Sequence, residues 1–263
     1  MTIIKATDYI EEYRARASAC DVNEMTGRTG RPDLTDFVSS NIVAKLATKP
    51  GEVLVDIGCG DGSVLRKASQ VSKQGSFVGI LPTSQEVERV QRHLGSNQIA
   101  VMIGRADATG LSDGFADKIV CNGVLLIVPD LERALREIAR ISKNGALIYV
   151  GEIPKVNELA GKTYGNSIIK WLYFVLRTQG FAAFGWRLRQ TLHGVFSKDP
   201  FIIAPKNINF VEPAVLTAMA ERCGLRLIEW FPHREIDSGG IVFESPTRVD
   251  YLFHRSIEPD NSH

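Results

Sequence analysis

The residues best suited to chemistry in this 263-residue chain lie in one run, Val53-Leu54-Val55-Asp56-Ile57-Gly58-Cys59-Gly60-Asp61-Gly62. It reads as a short apolar strand that carries an acid near its end and turns through three alternating glycines. A helix pattern follows from Ser63 to Gln70. Glycine lacks a Cβ and tolerates positive φ, so the backbone can approach a ligand closely. Asp56 can accept hydrogen bonds from a ligand's amine or hydroxyls. The implied chemistry is the holding of a nucleotide-like molecule over a strand-to-helix turn; the plainer alternative is an ordinary tight turn. A dinucleotide fingerprint needs G-x-G-x-x-G. Counted from Gly58, the third glycine position is Ser63, so that fingerprint is not met.

The spacing D-x-G-x-G-x-G from Asp56 to Gly62 resembles motif I of the class I S-adenosylmethionine methyltransferases. The resemblance implies S-adenosyl-L-methionine as cofactor, with Asp56 near its amine and Gly58, Cys59, Gly60 and Gly62 beneath it. In that family an acid at the end of the second strand holds the ribose; here the matching position is Leu81, which has no acceptor in its side chain. Glu86 or Gln85 on the next helix either takes over that role or is simply a solvated helix residue, the plainer reading. Asp107 matches the adenine contact, accepting from the exocyclic amine while the Ala108 N–H donates to the ring; otherwise it is an Asx-turn acid. Asn122, followed by Gly123, ends the fourth strand. It either holds the methionine part or only terminates the strand.

Methyl transfer from a sulfonium is an in-line displacement, in which the protein aligns the partners and excludes water. A general base is needed only where the acceptor carries a proton of high pKa. The candidates are Glu152 after the fifth strand, His193 in an insertion, and His233 after the sixth strand. The histidines and acids show no metal-ligand spacing. The Asn-Pro-Pro-Tyr type signature of many adenine and glutamine N-methyltransferases is absent, and the formal charge of +1 gives no basic excess for nucleic acid. A small molecule, methylated at oxygen, is the expected acceptor. The rival readings are a protein of the same fold that binds cofactor without transferring methyl, and a peripheral membrane-binding module.

Alternating strand and helix patterns must position these residues. Strands are expected at Val53–Ile57, Ser76–Ile80, Ile99–Ile103, Lys118–Cys121 and Ala146–Val150. Thr83 and Glu86 form a capping box for a helix ending at Leu94 before Gly95. Leu131, Ala134, Leu135, Ile138 and Ile141 share a helix face, with Asn144-Gly145 as its expected C-cap. The strands are near-continuous apolar runs, which predicts a sheet covered on both faces. Phe210–Cys223 reads as a helix, followed by strands at Leu225–Phe231 and Arg248–Phe253. The expected fold is therefore α/β. It is a doubly wound, seven-stranded, mainly parallel sheet with an antiparallel last strand, plus N-terminal helices and a helical lid insertion.

Four segments follow: a helical cap at 1–48, the cofactor-binding core at 49–153, an insertion at 154–209 and the rest of the core sheet at 210–263. The cap carries two helix patterns, Thr7–Ala19 and Asp33–Ala47, with Tyr9 and Tyr13 one turn apart. The insertion concentrates aromatics and basic residues between Asn166 and Phe196, with breaks expected near Gly180 and Gly185. It is either a lid over an apolar pocket or an interfacial helix touching anionic lipid. Both make the acceptor partly apolar or lipid-linked. The four cysteines, Cys20, Cys59, Cys121 and Cys223, form no C-x-x-C pair and read as free thiols of a reducing cytosol. No secretory signal or uncharged apolar run of about 20 residues is present, so a cytoplasmic protein is expected. The oligomeric state stays open.

Overall fold

The computed structural model describes residues 31–95, 98–155, 209–237 and 239–256, with isolated helical positions at 172–173, 176, 181, 184–185 and 188. The predicted helix Thr7–Ala19, Cys20, His193 and most of the aromatic insertion lie outside the described residues. Gly185 is itself a helical position, and the residues on which the expected breaks near Gly180 and Gly185 turn lie mostly outside the described residues.

The sheet contains β1 (Val53–Ile57), β2 (Ser76–Leu81), β3 (Ile99–Ile103), β4 (Ala116–Asn122), β5 (Ser142–Pro154), β6 (Leu225–Ile236) and β7 (Val242–Arg255). The helices are α1 (Pro32–Leu46), α2 (Ser63–Val71), α3 (Ser84–Leu94), α4 (Leu131–Ile141) and α5 (Pro213–Arg222). Strand order is β3-β2-β1-β4-β5-β7-β6. The first five strands pair in parallel and β7 runs antiparallel between β5 and β6, as expected. The order reverses at β1, and the open edge beyond the strands' carboxyl ends there is where such sheets take ligands.

Both faces of the sheet are covered. On one, α4 and α5 bury Leu131, Leu135, Ile138, Leu216 and Ala220 against Val55, Ile57, Ile119, Ile148 and Phe253. On the other, α1, α2 and α3 bury Leu34, Val38, Ile42, Leu65 and Val87 against Leu54, Phe77, Val120 and Leu252. Strand periodicity of two then fixes the polar residues. Asp56 pairs in register with Val120, and Asn122 lies two residues further on. The same parity puts both on the α1–α3 face, together with Tyr149 and Asp250.

Local signals set the helix ends. The Thr83 hydroxyl accepts the Glu86 N–H at 3.3 Å, and Asp130 accepts the Arg133 N–H at 3.0 Å; such caps stabilise by about 1 kcal/mol each. α4 ends earlier than expected. Ser142 is already extended, and its hydroxyl donates to the Ile138 carbonyl at 2.6 Å. That bond ends the helix from within, so Asn144-Gly145 lies inside the irregular start of β5 rather than capping a helix.

Candidate functional site

The glycine turn is held against two strands. The Gly58 N–H donates to the Ile80 carbonyl at 2.8 Å, and a Cβ on Gly58, whose φ is +73°, would stand 2.3 Å from Val124 Cγ2. Only glycine lets β1 turn this close to the loop after β4. Gly60 and Gly62 also have positive φ. Gly62 caps α2 without a side chain, and the neighbouring Asp61 carboxylate accepts the Ser63 N–H at 3.0 Å instead. Asp56 is 3 % exposed at the strand end. The Cys59 side chain packs over Gly79, where a Cβ would be 2.6 Å from its Sγ. Burial, then Asp56, Asp61 and Glu86, push its thiol up. Cys59 thus offers a ligand backbone but no thiolate.

At the end of β2 the sequence expectation is revised. Leu81 is buried with Cys59, Leu65 and Val87, and its carbonyl accepts the Gly104 N–H at 2.9 Å. Its side chain is packing, so it supplies nothing polar to a ribose. Gln85 is exposed, but Glu86 is 1 % exposed and not a solvated helix residue. The Thr83 hydroxyl donates to Glu86 Oε2 at 2.7 Å, which fixes this carboxylate beside the glycine turn.

The loop after β3 is also more committed than its sequence suggests. Arg105 pairs with both Asp107 oxygens, at 2.9 and 3.1 Å, and Arg133 lies 3.6 Å away. The Ala108 N–H donates to the Arg105 carbonyl at 3.0 Å. In this arrangement that N–H closes the turn. Glu137 on α4 anchors the loop, accepting from the Thr109 N–H and hydroxyl at 2.7 and 2.6 Å. Burial pushes the Glu137 carboxyl up, but bonds from Arg140 and Thr109 outweigh it and hold it down at about 2.

The carboxyl ends of β4 and β5 gather the remaining candidates. Asn122 Nδ2 donates to Glu152 Oε1 at 2.9 Å, and Arg248 donates to Glu152 Oε2 at 2.9 Å. Asn122 Oδ1 is buried with no hydrogen-bond partner among the described residues. Gly123 adjoins: a Cβ there would be 3.8 Å from Glu152 Oε2. Behind Glu152, His233 Nδ1 lies 2.9 and 3.0 Å from the two Asp250 oxygens. Its Nε2 is 3.8 Å from Glu235 and 4.0 Å from Glu152. The Tyr149 hydroxyl donates to Asp250 at 2.6 Å. Burial alone would push His233 down, but Asp250, Glu152 and Glu235 together hold it above its ordinary value.

Two of the three expected bases are thus neighbours, and the third, His193, lies outside the described residues. Asp250, Glu235, Arg248 and Tyr149 were not foreseen. The signal for Asp250 was an acid inside the apolar run Val249-Asp250-Tyr251-Leu252-Phe253. Among the described residues no group of three or more histidine, cysteine or acidic side chains is placed to hold a metal ion.

Asp56, three left-handed glycines and an unpartnered buried amide oxygen fit the amine end of a nucleoside sulfonium. A glycine turn at the switch point of an open, doubly wound sheet is where such folds take nucleotide-like ligands. Comparison with known proteins narrows it. Residues 55–150 match the family described as "Methyltransferase domain". The chain is 33 % identical over 122 residues to an uncharacterized 37.1 kDa protein of transposon TN4556 from Streptomyces fradiae, covering 46 % of this chain and 35 % of that protein. It is 26 % identical over 185 residues to the ubiquinone/menaquinone biosynthesis C-methyltransferase UbiE of Caulobacter sp. strain K31, covering 62 % and 73 %. A Haloferax volcanii methyltransferase solved with the Trm112 methyltransferase activator has the same fold, with TM-score 0.65, 15 % identity and coverage of 94 % and 98 %. Over residues 55–150 the chain is thus similar to methyltransferase domains, and its sheet has the fold of a solved methyltransferase.

Proposed function

We propose that this chain is an S-adenosylmethionine-dependent methyltransferase whose acceptor is a hydroxylated, partly apolar small molecule. The observation that carries this reading is the joining of two half-sites on one sheet edge. Asp56 and the glycine turn stand at the switch point, and the Asn122–Glu152 pair stands across the ends of β4 and β5. When bound, S-adenosylmethionine supplies an electrophilic methyl group on a sulfonium. Asp56 and Asn122 Oδ1 would receive its amine, and the Gly58–Gly62 backbone would lie under it. Asp107 would mark the adenine end, with its carboxylate oriented by Arg105. Leu81 offers the ribose no side-chain acceptor, and the acid of the capping box that follows it is the buried Glu86.

Transfer to a hydroxyl oxygen is the primary reading. Transfer to carbon beside a hydroxyl is the second, because UbiE is a C-methyltransferase by name. Both need a group that receives a proton. The segments 1–48 and 154–209 would wall the acceptor, with 166–196 as lid or as a peripheral membrane contact. A cytosolic setting fits the free thiols of Cys59, Cys121 and Cys223, and no described helix is long and apolar enough to cross a membrane.

Calorimetric titration tests the reading. Wild type should bind S-adenosylmethionine and S-adenosylhomocysteine with micromolar dissociation constants. Asp56→Ala, with unchanged circular dichroism, should weaken both at least tenfold. A wild type that binds neither sinks the proposal.

A further inference from the structure

Glu152 has an unusual backbone. Its φ is +59°, the left-handed region, although it is not glycine. That conformation is strained for a residue with a Cβ. It arises at a β-bulge, where β5 pairs with β7 in register up to Val150 and resumes only at Ile153. Ile148, Val150 and Ile153 all enter the same core. The bulge therefore removes Glu152 from the core face to which strict alternation would assign it and turns it to the sheet's carboxyl edge. Bulges beside active sites commonly re-aim one side chain in this way. The Glu152 N–H, lost to the ladder, donates to Asp250 Oδ1 at 2.8 Å. The acid that holds His233 also holds the strained peptide.

Exposure separates the two candidates. The His233 side chain is 3 % exposed and that of Glu152 is 13 % exposed. Both ring nitrogens of the imidazole face carboxylates, Nδ1 towards Asp250 and Nε2 towards Glu235 and Glu152, whereas the more exposed Glu152 carboxylate sits at the sheet's carboxyl edge beside Asn122. Asn122 and Arg248 each donate to one of its oxygens, which orients the carboxylate at the ends of β4 and β5.

We propose that Glu152 is the catalytic residue that receives the acceptor's proton, and that His233 and Asp250 are positioning residues behind it; this rests on the methyltransferase reading. In the step, an acceptor oxygen lone pair bonds the methyl carbon as that carbon's bond to sulfur breaks. The electron pair of that bond stays on sulfur, which leaves as the neutral thioether of S-adenosylhomocysteine. The acceptor O–H bond breaks, its proton binds a Glu152 oxygen, and its electron pair stays on the acceptor oxygen. The proton then leaves to water. A carboxylate suffices because the hydroxyl becomes strongly acidic as its oxygen begins to bond carbon. The charged or titratable groups set against His233 or against its partners Asp250, Glu152 and Glu235 include Tyr149 and Glu152 of β5, Glu235 of β6, and Arg248 and Asp250 of β7, and the cation ahead of α1 is its N-cap residue Arg31. Arg31 is held by Asp33 and by the Ile236 and Asp237 carbonyls.

The test combines activity with a readout independent of it. Menadiol and catechol serve as acceptor probes with radiolabelled methyl donor, and donor affinity is measured by calorimetry. Glu152→Gln should keep donor affinity within about threefold and lose transfer at least 100-fold, the usual scale for losing a base. Glu152→Asp should recover at least tenfold over Gln. It is also the variant to read if Gln melts markedly lower, with an intermediate loss expected. His233→Gln should lower kcat with little change in the donor's KM. In the apo protein, the NMR titration midpoint of His233 should move down in Glu152→Gln, because one of its three facing carboxylates is gone. Transfer within threefold of wild type in Glu152→Gln, or an unmoved His233 midpoint, overturns the inference. So does a wild type that binds donor but methylates neither probe. Failure of the wild type to bind donor at all overturns the methyltransferase reading instead.

Discussion

Gly151 and Asn122 show how one missing Cβ can hold a site open. A Cβ on Gly151 would stand 2.1 Å from Asn122 Oδ1 and 2.7 Å from Tyr149 Cε1. No rotation of the methyl group relieves such contacts, so Gly151→Ala must push the Asn122 amide off Glu152 Oε1. The expected outcome is at least tenfold weaker S-adenosylmethionine binding by calorimetry, with the cooperative melt retained. Unchanged affinity would mean that Asn122 does not touch the donor. This role of Gly151 was not legible in the sequence, where Val150-Gly151-Glu152 reads as a strand running out into a loop. The Gly58–Gly62 turn was legible, because its constraint is local: strand, acid, glycines and helix follow within ten residues.

At the scale of elements, α4 and the loop after β3 form one unit joined by Glu137. Folding lowers the Glu137 carboxyl from its ordinary 4.5 to about 2. Its stabilisation is therefore present in full above about 4.5 and is lost as pH falls through about 2. Urea denaturation followed between those values should show wild type losing stability on acidification more steeply than Glu137→Gln. Parallel slopes would remove Glu137 from that role. Around neutral pH, Glu137→Gln should also loosen the Asp107 loop, which hydrogen exchange at Thr109 and Leu111 can read. The helix itself was legible from its apolar spacing and from the Asp130 cap. Its end was not, because Ser142 works through a tertiary pairing with Ala116 on β4 as well as through its own hydroxyl.

For the whole molecule, the His233 cluster ties together strands far apart in sequence. Tyr149 reaches Asp250 over 101 residues, and Arg248 reaches Glu152 over 96. His233 is raised above its ordinary 6.5 in the folded state. A raised value contributes stability that is fully present below about 6.5 and fades as pH rises through the folded value. Wild type should therefore be more stable than His233→Gln at pH about 6, with the gap narrowing at higher pH. Chemical denaturation at several pH values checks this, and a gap that widens with pH would contradict it. The cluster also couples the β6–β7 hairpin to the site, since β7 supplies Asp250 and Arg248 and β6 supplies His233 and Glu235.

The sequence by itself determined the α/β alternation, the parallel sheet with its antiparallel end, the glycine turn and the identity of Glu152 and His233 as bases worth testing. Each follows from short-range physics: periodicity, caps, and the need for missing Cβ atoms. Only the tertiary structure decided that Leu81 is packing, that Glu86 is buried, that the Ala108 N–H is engaged within its turn, and that His233 is buried behind Glu152. Burial and hydrogen-bond partners are properties of chain segments brought together by the sheet, and in this fold the decisive partner, Asp250, is about 100 residues from the carboxylate it helps to position.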